Sequence, residues 1–232
     1  MTLLRRPLLG RAERVARVAS LNTSGLPVLV QFYTATGDIL VPDSYDVARV
    51  SAWSAGHPAV DGGDGNIYGG GGGGFASSII AVAAGETLTG TIATGVSQQG
   101  ATVARAGTTL LKAAGAAYTS GGGINNASIG TITRKGGNGT INTGYYVVSG
   151  GGAAGRSGDG GNATSNTTPG IAGTGAAFVR TSDGAAASAG AGGYQAPGGS
   201  YGGGGGGSPG GQLYAGGAGL IVIEWGVSDI ND

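Results

Sequence analysis

Cysteine is absent from all 232 residues, which removes a disulfide framework, a thiolate metal site and a cysteine nucleophile together. Charge is scarce. Only 10% of residues are Asp, Glu, Lys or Arg, and the two signs balance. Disordered chains are usually kept solvated by charge, so low charge with 40% hydrophobic residues argues against simple disorder. No apolar run approaches the roughly 18 residues of a membrane-crossing helix. Near the start, Arg11, Glu13 and Arg14 interrupt the stretch where a secretion signal needs an apolar core. A soluble or particle-bound protein is therefore expected.

Histidine occurs once, at His57, directly before Pro58. A Ser-His-Asp triad would have to be built on it, and a structural role is the simpler expectation. The carboxylates are scattered and no spacing nominates an acid-base pair. Gly62-Gly63-Asp64-Gly65-Asn66 has the look of a calcium-binding turn but does not recur, so it reads as a simple turn. Neither lysine stands in the Gly-Lys-Ser/Thr order of a phosphate cradle. The chain is expected to be no enzyme, with no cofactor, no metal and no nucleic-acid partner.

What the chain has in abundance is glycine, 55 residues against an ordinary usage of about 7%. Only Gly10, Gly25, Gly37 and Gly56 precede residue 61, so composition shifts near residues 57 to 66. Glycine in a regular element costs about 0.5–1 kcal/mol relative to alanine, and an ordered structure must offset that. Collagen would need glycine at every third position and abundant proline, whereas there are seven prolines and unbroken runs such as Gly69 to Gly74 and Gly202 to Gly207. The remaining arrangement is a bundle of extended, left-handed segments with three residues per turn, whose backbones bond to one another.

Strand patterns bracket the glycine. Val28 to Tyr33, Ile39 to Val41 and Val47 to Trp53 read as short strands, with turns at Thr36-Gly37-Asp38 and Pro42. Phe75 to Ala84 and Thr87 to Ala93 read as a hairpin with a threonine-lined face. Gly107 to Leu111, Ile141 and Tyr145 to Val148 suggest further strands. Leu220 to Trp225 is apolar on both faces and reads as a buried central strand that pairs with the N-terminal strands. The expected fold is mainly β, with polyglycine-II-like or irregular glycine segments closed by short strands at both ends. Its regions are an arm over 1–26, strands over 27–60, a glycine-rich domain over 61–226 and a tail over 227–232.

The order of these features resembles the glycine-rich domain of bacteriophage tail fibres and other virion proteins, over roughly residues 45 to 226. The resemblance rests on Ala48-Arg49-Val50-Ser51-Ala52-Trp53-Ser54-Ala55-Gly56, the run Gly69 to Gly74 and the step Gly85-Glu86-Thr87-Leu88. It ends on Gly216-Gly217-Ala218-Gly219-Leu220-Ile221-Val222-Ile223-Glu224-Trp225. Two departures are His57-Pro58-Ala59-Val60, inserted before the glycines, and a middle from 96 to 149 that is poorer in glycine.

The resemblance implies a virion protein on the particle surface, partnered by other virion proteins and by a bacterial surface glycan or outer-membrane protein. It also implies a homo-oligomer, with a trimer favoured. The arm carries Arg5, Arg6, Arg11, Arg14 and Arg17 among leucines and valines, and suits docking onto the particle as well as a frayed terminus. Tyr118, Tyr194, Tyr201 and Tyr214 stand isolated among small residues and are the candidate receptor contacts, because an aromatic ring stacks on sugar while its hydroxyl bonds polar groups. Plugging gaps between glycine segments is the competing role for each. Three uses follow: a receptor-contacting tail-fibre or tail-tip protein, a purely structural baseplate, collar or capsid-surface component, and an extracellular matrix or ice-binding protein.

Overall fold

The computed structural model describes residues 25–94, 100–117, 128–143 and 145–230. The described residues hold strands and no helix. The strands are β1 (Leu29–Tyr33), β2 (Gly37–Leu40), β3 (Val47–Trp53), β4 (Val60–Asp61), β5 (Asn66–Tyr68), β6 (Phe75–Ala81) and β7 (Thr87–Thr91). After them come β8 (Ala101–Arg105), β9 (Thr108–Ala113), β10 (Ile132–Arg134), β11 (Ile141–Thr143), β12 (Phe178–Val179), β13 (Ala186–Ala187) and β14 (Leu220–Trp225). The protein is mainly β, as expected, with several sheets that do not close into a barrel.

Period-two alternation builds a sandwich at one end of the molecule. A five-stranded sheet runs β1-β14-β3-β6-β10 and a four-stranded sheet runs β2-β7-β8-β9. Ala48, Val50, Ala52, Ile221, Ile223 and Trp225 of the first sheet bury against Ile39, Leu88, Val103 and Leu111 of the second. The alternate residues face the other way, where Trp53, Phe75, Leu220 and Val222 pack with Ala154, Phe178 and Ala187. β14 is thus buried on both faces, with β1 and β3 as neighbours, which is why its sequence is apolar except for Glu224, whose carboxylate is paired with Arg49.

The expected hairpin of 75–84 with 87–93 is replaced by a crossover. β6 pairs with β3 and β10, while β7 pairs with β2 and β8 in the opposite sheet. The turn at Gly85 (φ +74°) carries the chain across, letting Ala76 and Leu88 enter one core from opposite sides. Thr87 and Thr89 do face solvent while Leu88 is buried. Tyr145 to Val148 is not a strand; only Val148 and Ser149 make isolated bridges.

Beyond the sandwich, the same chain segments continue as a bundle whose hydrogen bonds repeat every three residues. Gly70 and Gly73 donate to Gly205 O and Gly202 O, Gly69 and Gly72 donate to Thr140 O and Gly137 O, and Gly71 donates to Ala117 O. Successive N–H groups therefore point to three different neighbours, as a three-residue turn requires. Segment 148–155 has six neighbours: it bonds to 69–74, 188–193, 158–163, 135–140, 168–174 and 202–207. Segment 202–207 likewise bonds to 148–155, 69–74, 54–59, 213–219, 196–199 and 188–193. The result is two filled hexagons in three layers, a polyglycine-II lattice.

Glycine is required because the lattice spacing leaves no room for a Cβ. A side chain at Gly152 would strike the carbonyl oxygen of Ile171, and one at Gly204 would strike that of Gly70. Residues 69–74, 148–155 and 202–207 are all buried, so each backbone polar group there must find a partner within the protein. Trp53 ties bundle to sandwich, with its indole N–H donating to Ala154 O at 2.6 Å and its ring against Phe75 and Phe178. His57 is part of the lattice: it is buried, donates its backbone N–H to Gly71 O and accepts from Gly205.

Candidate distal recognition surface

Strand direction decides where the loops go. Segments 54–59, 135–140, 158–163, 188–193 and 202–207 run away from the sandwich, and 69–74, 148–155, 168–174, 196–199 and 213–219 run back, as their hydrogen-bond registers dictate. Connections 60–68, 141–147, 164–167, 194–195 and 208–212 consequently gather at the end opposite the sandwich. A small core of Ala59, Ile67 and Val148, flanked by Tyr146 and Leu213, holds this distal end together. The short sheet β11-β5-β4 caps it.

The described distal loops carry Tyr68, Tyr145, Tyr146, Tyr194 and, beside them, Tyr214. Four of these hydroxyls have partners. Tyr68 donates to Asp64 Oδ2 at 2.7 Å, Tyr146 to Asp61 Oδ2 at 3.2 Å and Tyr214 to Gln212 Oε1 at 2.9 Å, while Tyr194 accepts from Gln195 Nε2 at 2.7 Å. Tyr145 is 72% exposed. Asp61 and Asp64 are the charged side chains of the described distal loops, which hold no Lys or Arg.

Electrostatics follows from these bonds. The Tyr68 hydroxyl and the Asn66 amides hold the Asp64 carboxyl below its ordinary range, since each hydrogen bond favours the ionised form. The hydrogen bond to Asp61, reinforced by its charge, pushes the Tyr146 phenol up. The 62–66 turn is built from the aspartates: Asp61 Oδ1 accepts from the Gly63 N–H and Asp64 Oδ1 from the Asn66 N–H. Among the described residues, no three His, Cys, Asp or Glu side chains converge in a way that could hold a metal ion.

Of the tyrosines named from sequence, Tyr194 and Tyr214 lie at the distal end. Tyr201 does not. It packs against the Trp53 cluster at the sandwich end, in the gap-filling role. Tyr118 and the arm residues Arg5, Arg6, Arg11, Arg14 and Arg17 lie outside the described residues. Sequence reasoning missed Tyr68, Tyr145 and Tyr146, because it favoured tyrosines isolated among small residues and assigned 145–148 to a strand. The spacing Asp64-x-Asn66-x-Tyr68 was the available signal, a turn-forming aspartate placed to catch a ring hydroxyl.

No protein-family model matches the chain, and no curated protein matches it.

Proposed function

We propose that this protein is a bacteriophage virion component, at the tail fibre or tail tip, that contacts the host cell surface through its distal loops. One observation carries the reading: the loops richest in tyrosine and amide side chains sit at one end of a backbone-bonded bundle, and the described chain begins, at Gly25, beside the sandwich at the other. In this reading the sandwich end serves attachment to the particle and the distal loops serve contact with the host. A rigid scaffold presenting rigid aromatics suits recognition, because little conformational entropy is lost on binding.

Purified full-length protein, added in excess, is expected to adsorb to host cells and block phage adsorption. Normal adsorption at saturating protein would contradict receptor contact and leave the purely structural reading. Removal of residues 1–24 is expected to abolish incorporation into particles while leaving host adsorption of the free protein intact.

A further inference from the structure

The outward face of the distal sheet has a composition and shape that narrow the kind of ligand it takes. Ile141, Tyr68 and Val60 stand opposite one another across β11, β5 and β4, forming one cross-strand row. Ile67, one residue away, points inward to the distal core, so alternation places Tyr68 and its row on the outside. Asn66 and Thr143 form the next row on that face, joined by a hydrogen bond from Thr143 Oγ1 to Asn66 Oδ1 at 3.0 Å. Ile141 is 54% exposed, so the face is open to solvent.

The Tyr68 ring is fixed on two sides. Gly62 lies against the ring, where any side chain would strike Cε2, and the hydroxyl is anchored on Asp64. An aromatic ring anchored through its hydroxyl, flanked by two aliphatic cross-strand partners and rimmed by a carboxylate, an amide and a hydroxyl, matches the needs of a sugar ring. Pyranose C–H groups pack on the aromatic face while ring hydroxyls donate to carboxylate and amide oxygens. Three strands about 4.8 Å apart and two or three residues long span only about 10 Å each way. That suits one or two sugar units and falls far short of the roughly 800 Å² per partner of a stable protein interface. Asp61 and Asp64, with no cation in the described distal loops, disfavour phosphorylated or uronic-acid sugars.

We propose, building on the host-contact reading above, that the outer face of β11-β5-β4 is a binding platform for an uncharged saccharide, with Tyr68 as its stacking ring and Asp64, Asn66 and Thr143 as its polar rim. The test is binding of the full-length protein to immobilised neutral hexose and N-acetylhexosamine oligosaccharides, set beside their phosphorylated and uronic-acid counterparts. The neutral set is expected to bind and the anionic set is not. Tyr68→Ala is expected to lose at least tenfold in affinity, and Tyr68→Phe only a few-fold, since it keeps the ring and loses the anchor. Ile141→Glu replaces an aliphatic flank of the ring with a hydrated carboxylate at an exposed position, and a tenfold loss is expected there too.

Failure of the wild-type protein to bind any neutral saccharide, a preference for the anionic set, or full binding by both Tyr68→Ala and Ile141→Glu overturns the platform. Blocking of phage adsorption by the same preparation separates the two proposals. A protein that blocks adsorption without binding saccharide keeps the host-contact reading and loses the platform; one that binds saccharide without blocking does the reverse.

Discussion

The sandwich and the glycine bundle are ordered by opposite means, although the same chain segments run through both. In the sandwich, large side chains such as Trp225, Leu88, Leu111 and Ile223 fill the space between two sheets, and backbone bonds stay within each sheet. In the bundle the side chains are missing and the backbone bonds run in all directions, giving segments 148–155 and 202–207 six neighbours each. The hydrophobic effect dominates the first region, and satisfied peptide groups at close approach dominate the second. The difference teaches that sensitivity to mutation should invert across the Trp53 seam.

The largest effect is expected from enlarging a central glycine. Gly152→Val drives a branched side chain into the Ile171 carbonyl and should destabilise by more than about 4 kcal/mol, read as loss of the folded transition in a thermal melt. Shrinking a sandwich residue comes next, with Leu88→Ala expected to cost about 2–5 kcal/mol by chemical denaturation. If both substitutions are equally mild, the contrast between the regions is broken.

The buried pair Arg49–Glu224 tests the seam face of the sandwich. Arg49 Nε and Nη2 donate to Glu224 Oε2 and Oε1 at 2.5 and 2.9 Å across β3 and β14. Arg49→Met alone should cost about 3–5 kcal/mol by leaving a buried carboxylate unpaired, and adding Glu224→Leu should recover most of it. A double variant as unstable as the single one would show that the pair does more than neutralise itself.

The smallest effect is expected where loops face solvent. Thr167→Ala in a distal loop should stay within about 0.5 kcal/mol of the parent. At the sandwich end, the Arg180 guanidinium and the Ala185 N–H hold the Asp183 carboxyl down to about 2. A depressed folded value means that the turn's stabilisation is complete above the ordinary carboxylate range and is lost as pH falls from near 4 toward 2. Protection of the Gly184 and Ala185 amides, taken relative to the intrinsic exchange rate at each pH, should therefore fall only at the acid end of that window. Absence of that protection already at neutral pH would show that the ion pair does not hold the turn.

How much of this was legible in the sequence depends on the kind of order involved. β3 and β14 were found with their observed bounds, because alternation and a two-faced apolar run are local signals. The three-residue turn of the bundle also followed from composition once collagen was rejected. The assignment of neighbours did not, since a glycine carries no side chain to mark which segment it meets; Gly70 and Gly72 are identical in sequence yet bond to 202–207 and 135–140. The Phe75–Thr91 crossover was missed for a related reason: adjacent strands joined by a tight Gly-Glu turn look like a hairpin until both edges of β6 are known to be taken, by β3 and β10. β8 was overlooked although Ala101 and Val103 alternate with more exposed residues. At the distal end, loop composition located Tyr194 and Tyr214, but only topology brings Tyr68 and Tyr146 to them across intervals of many residues.

Amide hydrogen exchange across the bundle tests the central claim most directly. Residues 69–74, 149–154 and 202–206 belong to no strand, yet each is buried and their N–H groups are bonded in the lattice. Their amides are predicted to exchange as slowly as those of β3 and β14, in one cooperative unit with the sandwich. Exchange of these glycines at the rate of an unstructured chain, beside a protected sandwich, would contradict a backbone-bonded lattice.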